Sequence, residues 1–314
     1  MNFQDFKNKY QKKEPEEFPH RVNSQPTLSV LVQTFQQNKY IQKCLDGILN
    51  QQTDFPFEIL LGEDSSTDGT RNICIEYAEK YPEKIRLFLH HPENKIKVLG
   101  TTTGNFNAFY NFYQAKANFI AFCEGDDLWG DPLKLQKQVD FLEENRKFVL
   151  CFHNYIIVDE TTSILDDSNF PEKPISNISS ENLKEVNFHP LLSTVIFRKE
   201  FHTIPREALQ IINVDTFIIS LLGSSGSGKY MDKIKPSYYR IHKHGVWSKR
   251  AKTAKYKNKI NTYRQLYRYY KRIGDPVTSR SFSKKVKLHI KMAAFNYLKT
   301  GNIIGFLKMI KFLK

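Results

Sequence analysis

Acidic side chains are almost missing from residues 249–314, where 19 Lys or Arg face a single acid, Asp275. That absence relocates the formal charge of +14: the terminal stretch carries +18, and residues 1–248 carry −4. A basic surface spread over the whole chain is thereby excluded, and whatever the positive charge attracts meets the C-terminal arm. Cysteine is scarce as well. Cys44, Cys74, Cys123 and Cys151 form no Cys-x-x-Cys pair and show no His spacing of the zinc-binding kind. They read as small buried thiols of a reducing compartment rather than a disulfide or metal framework. No window approaches 18 uncharged apolar residues, and the opening "MNFQDFKNKYQKKEPEEFPH" lacks an apolar signal core. Neither a membrane span nor a secretion signal is expected. The phosphate-cradling glycine patterns are missing too. The nearest approach, "GSSGSGK" at residues 223–229, lacks the GK[ST] ending and reads as a flexible connector.

What is present suits a folded enzyme-sized body. With 314 residues and 40% apolar content, the chain has material for one large domain or two ordinary ones. Residues 1–26 are polar and broken by Pro15, Pro19 and Pro26, a lead-in segment. "LSVLVQTF" (28–35) then reads as a buried strand, and "NKYIQKCLDGILNQQ" as a helix with apolar residues at three and four spacing. "FEILLGED", "RNICIEYAEKY" and "IRLFLHH" repeat the alternation of strand and helix. This pace predicts crossover units and a mainly parallel, Rossmann-like α/β sheet flanked by helices, with ligands beyond the carboxyl ends of its strands. "FIAFC", a helix from about Pro132 to Glu144, the strand-like "FVLCFHNYIIVDE" and "LLSTVIFRKE", and a last strand in "IKPSYYRIHKHGVW" complete the body. From residue 249 onward, Lys and Arg interleave with Ile, Leu and Tyr at helical spacing, predicting a basic amphipathic helical extension.

The chemistry-bearing residues stand where strands end. Glu124, Asp126 and Asp127 follow an apolar strand within four positions. Such carboxylates repel one another unless a cation or hydrogen-bond donors compensate; the plain alternative is a solvated turn capping the next helix. Glu63 and Asp64 repeat the arrangement one unit earlier, ahead of a "SSTDGT" turn. Asp215 opens a helical run, where exposed backbone N–H groups favour a carboxylate and where a general base is also well presented. His242, His244 and Trp247 make a dense late loop, either a packed turn or a place where a ring and a phosphate are met.

In order and wording, these clusters resemble the inverting nucleotide-sugar glycosyltransferases of family 2, whose fold is called GT-A. The likeness runs from "LSVLVQTFQQNKYIQKCLDGILNQQ" through "FEILLGEDSSTDGT" to "AKANFIAFCEGDDLWGDPLKLQKQVDFLEEN", and more weakly to "YRIHKHGVWS". It covers roughly residues 27–248, leaving 1–26 and 249–314 outside the implied catalytic domain. The resemblance implies that Thr34 and Phe35 line the base pocket and that Glu63 and Asp64 hold base or ribose. It implies that Glu124 and Asp126 meet the nucleotide, that Asp126 and Asp127 bind Mn²⁺ or Mg²⁺, and that Asp215 is the catalytic base. It implies that His242, His244 and Trp247 close over diphosphate and acceptor. The donor is then a nucleotide sugar, with UDP-sugar favoured. The acceptor is a saccharide or lipid-linked hydroxyl, as in bacterial surface glycan synthesis.

Other readings fare worse. A nucleotidyltransferase needs a Gly and Arg or Lys-rich loop after the first strand, where this chain has "TFQQNKY". A non-catalytic relative is expected to lose Asp127 or Asp215, and both are present. The basic arm suits nucleic acid by charge, but its apolar stripes favour packed or surface-lying helices. A cytoplasmic protein attached at the inner face of an anionic membrane, with a homodimer contact as the other use of the arm, follows from that pattern.

Overall fold

A computed structural model of the chain describes residues 1–166, 175–243, 245 and 251–311, with side chains as far as residue 307. His244 and Trp247 lie outside the described residues. The strands are β1 (Glu16–Glu17), β2 (Leu28–Thr34), β3 (Phe57–Glu63), β4 (Ile85–Leu89), β5 (Ile96–Val98), β6 (Thr101–Thr103) and β7 (Phe119–Glu124). They continue with β8 (Phe148–Phe152), β9 (Tyr155–Val158), β10 (Ile196–Arg198), β11 (Ser227–Tyr230) and β12 (Ser237–Arg240). The helices are α1 (Phe3–Tyr10), α2 (Ile41–Leu49), α3 (Thr70–Lys80), α4 (Asn105–Gln114) and α5 (Lys134–Glu144). After these come α6 (Ser180–Lys184), α7 (Val214–Leu222), α8 (Lys252–Arg272), α9 (Pro276–Lys299) and α10 (Ile303–Lys311).

An eight-stranded sheet in the order β1-β4-β3-β2-β7-β10-β8-β11 carries the molecule. β2 is parallel to both β3 and β7, and β3 to β4. Every residue of β2 and β3 is buried, which requires cover on both faces. Alternate side chains supply the two layers. Leu31, Leu60, Phe88, Ile120 and Phe122 pack with the Phe106, Phe109 and Phe112 side chains of α4. Val30, Val32, Ile59, Leu61 and Cys123 pack with α2, α3 and α5 through Ile41, Leu45, Cys74, Leu135 and Val139. Each such side chain stabilises the fold by about 1.5–3 kcal/mol through burial.

The sheet is mixed, with its parallel part at the centre. β10 runs antiparallel between β7 and β8, and β1 pairs antiparallel with β4. An apolar run reveals burial but not the direction of its neighbours, so "LLSTVIFRKE" read as a strand without its antiparallel sense, and β1 lay in the segment read as a lead-in. The run "FVLCFHNYIIV" is two strands, because Asn154 turns its Oδ1 onto the Tyr155 N–H at 2.8 Å and ends the ladder. β9 then leaves the main sheet to pair with β12. Residues 223–229 are not a free connector, since β11 begins at Ser227 and runs parallel to β8. A Cβ on Gly228 would stand 3.0 Å from Leu150 Cδ1, so the glycine there serves close strand packing.

The flanking segments are built into this body. Phe6 of α1 is fully buried against the layer containing Phe106, and β1 extends the sheet edge. Leu266 and Tyr270 of α8 and Phe282 of α9 belong to the same core layer. Tyr270 Oη meets Ser220 Oγ at 2.9 Å, and Arg272 spans both oxygens of Glu207 at 2.8 Å. The arm is therefore a helical hairpin whose turn end is anchored in the body.

Candidate active site

The parallel register places three chemistry-bearing segments on one edge. Thr34 stands opposite Glu63, and Gln33 opposite Glu124, at the carboxyl ends of β2, β3 and β7. The backbone stays joined just beyond them: Asp64 N–H donates to Thr34 O, and Gly125 N–H to Gln33 O, both at 3.0 Å. Gly125 allows that approach, for a Cβ there would lie 2.4 Å from Gln37 Oε1 and 2.9 Å from Thr34 Oγ1. From the far side, α4 pins the strands through asparagines. Asn107 Nδ2 donates to Gly62 O at 2.7 Å, and Asn111 Nδ2 to Val32 O at 3.2 Å.

On the β3 side, Glu63 is wholly buried and turned inward. Its Oε2 meets Arg71 Nε at 2.6 Å while its Oε1 accepts the Ser66 N–H. Arg71 also donates to His90 O, so this carboxylate braces the turn from which Asp64 projects. Asp64 Oδ1 lies 2.6 Å from Lys95 Nζ, and that ammonium sits 5.3 Å from the centre of the Phe35 ring. Phe35 is half exposed, an aromatic face left open beside a buried carboxylate. Desolvation raises the Asp64 carboxyl to about 6, with Glu63 adding to the rise and Lys95 opposing it.

On the β7 side, four acids share one rim. Glu124 is solvent-exposed yet ringed by protein. Its carboxyl is pushed up by the protein crowding out part of its water and by the charges of Asp126, Asp127 and Asp215, less than in a sealed site because the side chain reaches solvent. Asp127 is buried and rises to about 8, through desolvation first and Asp126 second. Asp127 Oδ1 accepts the Arg240 N–H at 3.3 Å, and Arg240 Nε donates to Asp126 O at 3.1 Å. His242 Nε2 is 2.9 Å from Asp126 Oδ2 and its ring is 4.8 Å from that of Tyr40. Asp215, in the first turn of α7, takes the Thr216 N–H on Oδ1 and lies 3.5 Å from His189 Nε2 through Oδ2.

Among the described residues, no three His, Cys, Asp or Glu side chains converge closely enough to hold a metal ion alone. The donor set fits a cation shared with a ligand instead. Mg²⁺ in phosphate sites takes one or two carboxylates and completes its shell with water and phosphate oxygens. Asp126 raises both the Glu124 and the Asp127 carboxyls, a crowding of negative charge that such a cation would relieve.

Thr34, Phe35, Glu63, Asp64, Glu124, Asp126 and Asp127 thus leave one sheet edge, and Asp215 and His242 reach the same rim from later segments. Sequence reading missed Arg71, Lys95, His189, Tyr239 and Arg240. Tyr239 lies among the acids, its phenol pushed up by desolvation and then by Asp127, Asp126, Tyr155 and Asp215. The only available signal was the alternation in "SYYRIH", which sets Arg240 and His242 on one side of an extended segment.

The protein-family model described as "Glycosyl transferase family 2" matches residues 29–209. The uncharacterized protein Rv1520 of Mycobacterium tuberculosis is 32% identical over 225 residues, 70% of this chain and 60% of that protein. The chain therefore spans about 60% of the length of that curated relative. In fold it is similar to S. aureus TarS 1-349, solved in complex with UDP, with a TM-score of 0.52, 15% identity and 90% of each chain covered. It is likewise similar to the mannosyltransferase PcManGT from Pyrobaculum calidifontis, solved with GDP-Man and Mn²⁺. That likeness has a TM-score of 0.52 and 15% identity over 99% of this chain and 89% of the other.

Proposed function

Because the chain belongs to glycosyltransferase family 2, we propose that it transfers a sugar from a nucleoside-diphosphate sugar to an acceptor hydroxyl with inversion at the anomeric carbon. The observation that carries this reading is the parallel register that brings Glu63 and Asp64, after β3, and Glu124, Asp126 and Asp127, after β7, to one edge, where His242 engages Asp126 and Arg240 engages Asp127. Residues 27–248 form the catalytic unit in this reading.

Each group has a task. Phe35 offers a ring face to the base, and Asp64 accepts from base or ribose once Lys95 yields part of its ion pair. Asp126 and Asp127 would hold Mn²⁺ or Mg²⁺, which when bound supplies Lewis-acid compensation for charge on the departing diphosphate. His242 fixes the Asp126 carboxylate, and Arg240 fixes the backbone that carries it. Asp215 accepts the proton of the acceptor hydroxyl as its oxygen bonds to the anomeric carbon. The bond from that carbon to the diphosphate oxygen breaks, and the electron pair leaves with the nucleoside diphosphate. One displacement inverts the centre, and no enzymic nucleophile is required.

UDP-sugar is the favoured donor, and a saccharide or lipid-linked saccharide of a bacterial surface glycan the favoured acceptor. The two neighbours in fold were solved with different nucleotides, so the base is the first variable to test. The enzyme belongs in the cytoplasm in this reading, with its basic arm toward the inner face of the cell membrane. Nucleotidyl transfer is disfavoured because the amides after β2 are already engaged. Gln36 N–H donates to Ser66 Oγ and Gln37 N–H to Thr70 Oγ1, leaving them unable to cradle a triphosphate. The deciding experiment is a panel of UDP-, GDP- and dTDP-sugars scored for thermal protection and hydrolysis with and without Mn²⁺. A protein protected by none of them overturns the proposal.

A further inference from the structure

We infer that the outer face of α9 and α10 is a docking surface for an anionic lipid bilayer, on which the two helices lie without crossing it. This deepens the placement of the arm proposed above and is independent of the catalytic roles. The inner face of the arm is already satisfied. Ile260, Ile290, Ala293, Ala294 and Tyr297 bury one another, with Phe306 of α10 packed beside them. What remains outside is apolar all the same. Leu288, Met292 and Phe295 recur at helical spacing along one stripe, 54%, 41% and 60% exposed. Ile303, Ile304 and Leu307 continue the apolar surface on α10, each more than half exposed.

Cations border this surface. Arg280, Lys284, Lys287, Lys291 and Lys299 are all exposed on α9, and Asp275, at the cap preceding α9, is the only acid in residues 249–314. A water-facing apolar stripe on a helix whose other side is filled marks an interaction surface. The charges choose the partner. A second copy would bring +18 against +18. A nucleic acid would use the lysines and leave Phe295, Ile303, Ile304 and Leu307 in water. An anionic bilayer accepts both, phosphate headgroups meeting the ammonium groups while the apolar side chains enter the headgroup–acyl boundary. No described helix is long and apolar enough to cross a membrane, which leaves the surface-lying mode.

The test sediments the full chain with vesicles of phosphatidylcholine alone or with about one-third phosphatidylglycerol. Two surface variants are compared with the parent: Phe295→Ser with Leu307→Ser, and Lys284→Gln with Lys287→Gln and Lys291→Gln. Each changes only exposed side chains, so helix content by circular dichroism and donor protection stay at the parent level. The parent should partition to the anionic vesicles. The apolar pair should weaken partitioning about tenfold or more, and the lysine triple on the order of 100-fold at low salt. Equal binding to neutral vesicles overturns the inference, as does no binding to either. So does a concentration-dependent dimer, or retention on RNA, that the same variants abolish while vesicle binding persists. A protein that transfers sugar yet ignores vesicles overturns this inference alone.

Discussion

His242 Nε2 and Asp126 Oδ2 stand 2.9 Å apart, joining a late loop to the end of β7 across 116 positions of sequence. The pair holds one carboxylate of the acidic rim in a fixed orientation, with the Tyr40 ring behind the imidazole. His242→Ala should lower transfer roughly 10–100-fold, the range expected from loss of a hydrogen bond to a charged group. His242→Gln, which keeps a donor, should recover part of it. Steady-state kinetics of both variants check this, and an unchanged kcat/KM in His242→Ala would remove the loop from the site.

Asp127 predicts an opposition between stability and activity. Its folded carboxyl lies near 8, raised from 3.8 by desolvation and then by Asp126. Between those values the folded chain keeps a proton that the unfolded chain has released, so this group weakens the fold as pH rises through that window. Asp127→Asn cannot ionise. Metal-free, it should melt a few degrees above the parent near pH 8, with the margin shrinking toward pH 4, while transfer is abolished. Thermal unfolding across pH measures this; a margin indifferent to pH contradicts it.

Asp64 titrates at the β3 end of the same sheet edge. Its carboxyl sits at about 6, burial outweighing the Lys95 ion pair. The sign is the same: its contribution to stability is complete below the usual 3.8 and is lost as pH climbs through 6. Donor binding needs the ionised form in the proposed role, so KM for the donor should fall as pH rises through about 6. Asp64→Asn should flatten that profile and leave KM high throughout.

Asp215 is the place to separate binding from chemistry, if it takes the proton as proposed. Its carboxylate is placed by the Thr216 N–H at 2.8 Å and faces His189 at 3.5 Å. Asp215→Asn keeps the shape and the helix start but cannot take a proton. Donor protection should survive while turnover drops about 10²–10⁴-fold, the usual range for loss of a general base. A variant with full turnover would move the base elsewhere.

The arm should melt with the body. Tyr270 is fully buried, stacks on Phe282 at 5.7 Å and bonds Ser220. Tyr270→Ala removes a large buried ring and should destabilise by about 3–5 kcal/mol. One cooperative calorimetric transition, shifted as a whole, is the expected result; two transitions would mark an arm that folds apart from the catalytic unit.

The rim of acids was legible because the text of the chain changes abruptly there. "FEILLGED" and "FIAFCEGDD" each pass from apolar strand to carboxylate within a residue or two, and a buried strand leaves such side chains only its end. The partners of those acids were not legible. Arg240 meets Asp127 across 113 positions, and Lys95 meets Asp64 across a turn and a whole helix–strand unit. Local periodicity carries no record of such encounters, which tertiary packing alone creates. β11 was hidden for a related reason: its "SGKY" has no apolar alternation, and it is a strand because β8 lies beside it.

Asp275, the lone acid of the arm, closes the turn between α8 and α9. Its side chain accepts from Thr278 at 3.0 Å through the backbone N–H and meets Lys184 Nζ of α6 at 2.5 Å. One end of α9 is thereby riveted to the body, and its 24 residues carry the far end about 36 Å away. The helix is a strut of set length, so how far the end of the arm stands from the Asp275 anchorage is dictated by the polypeptide itself.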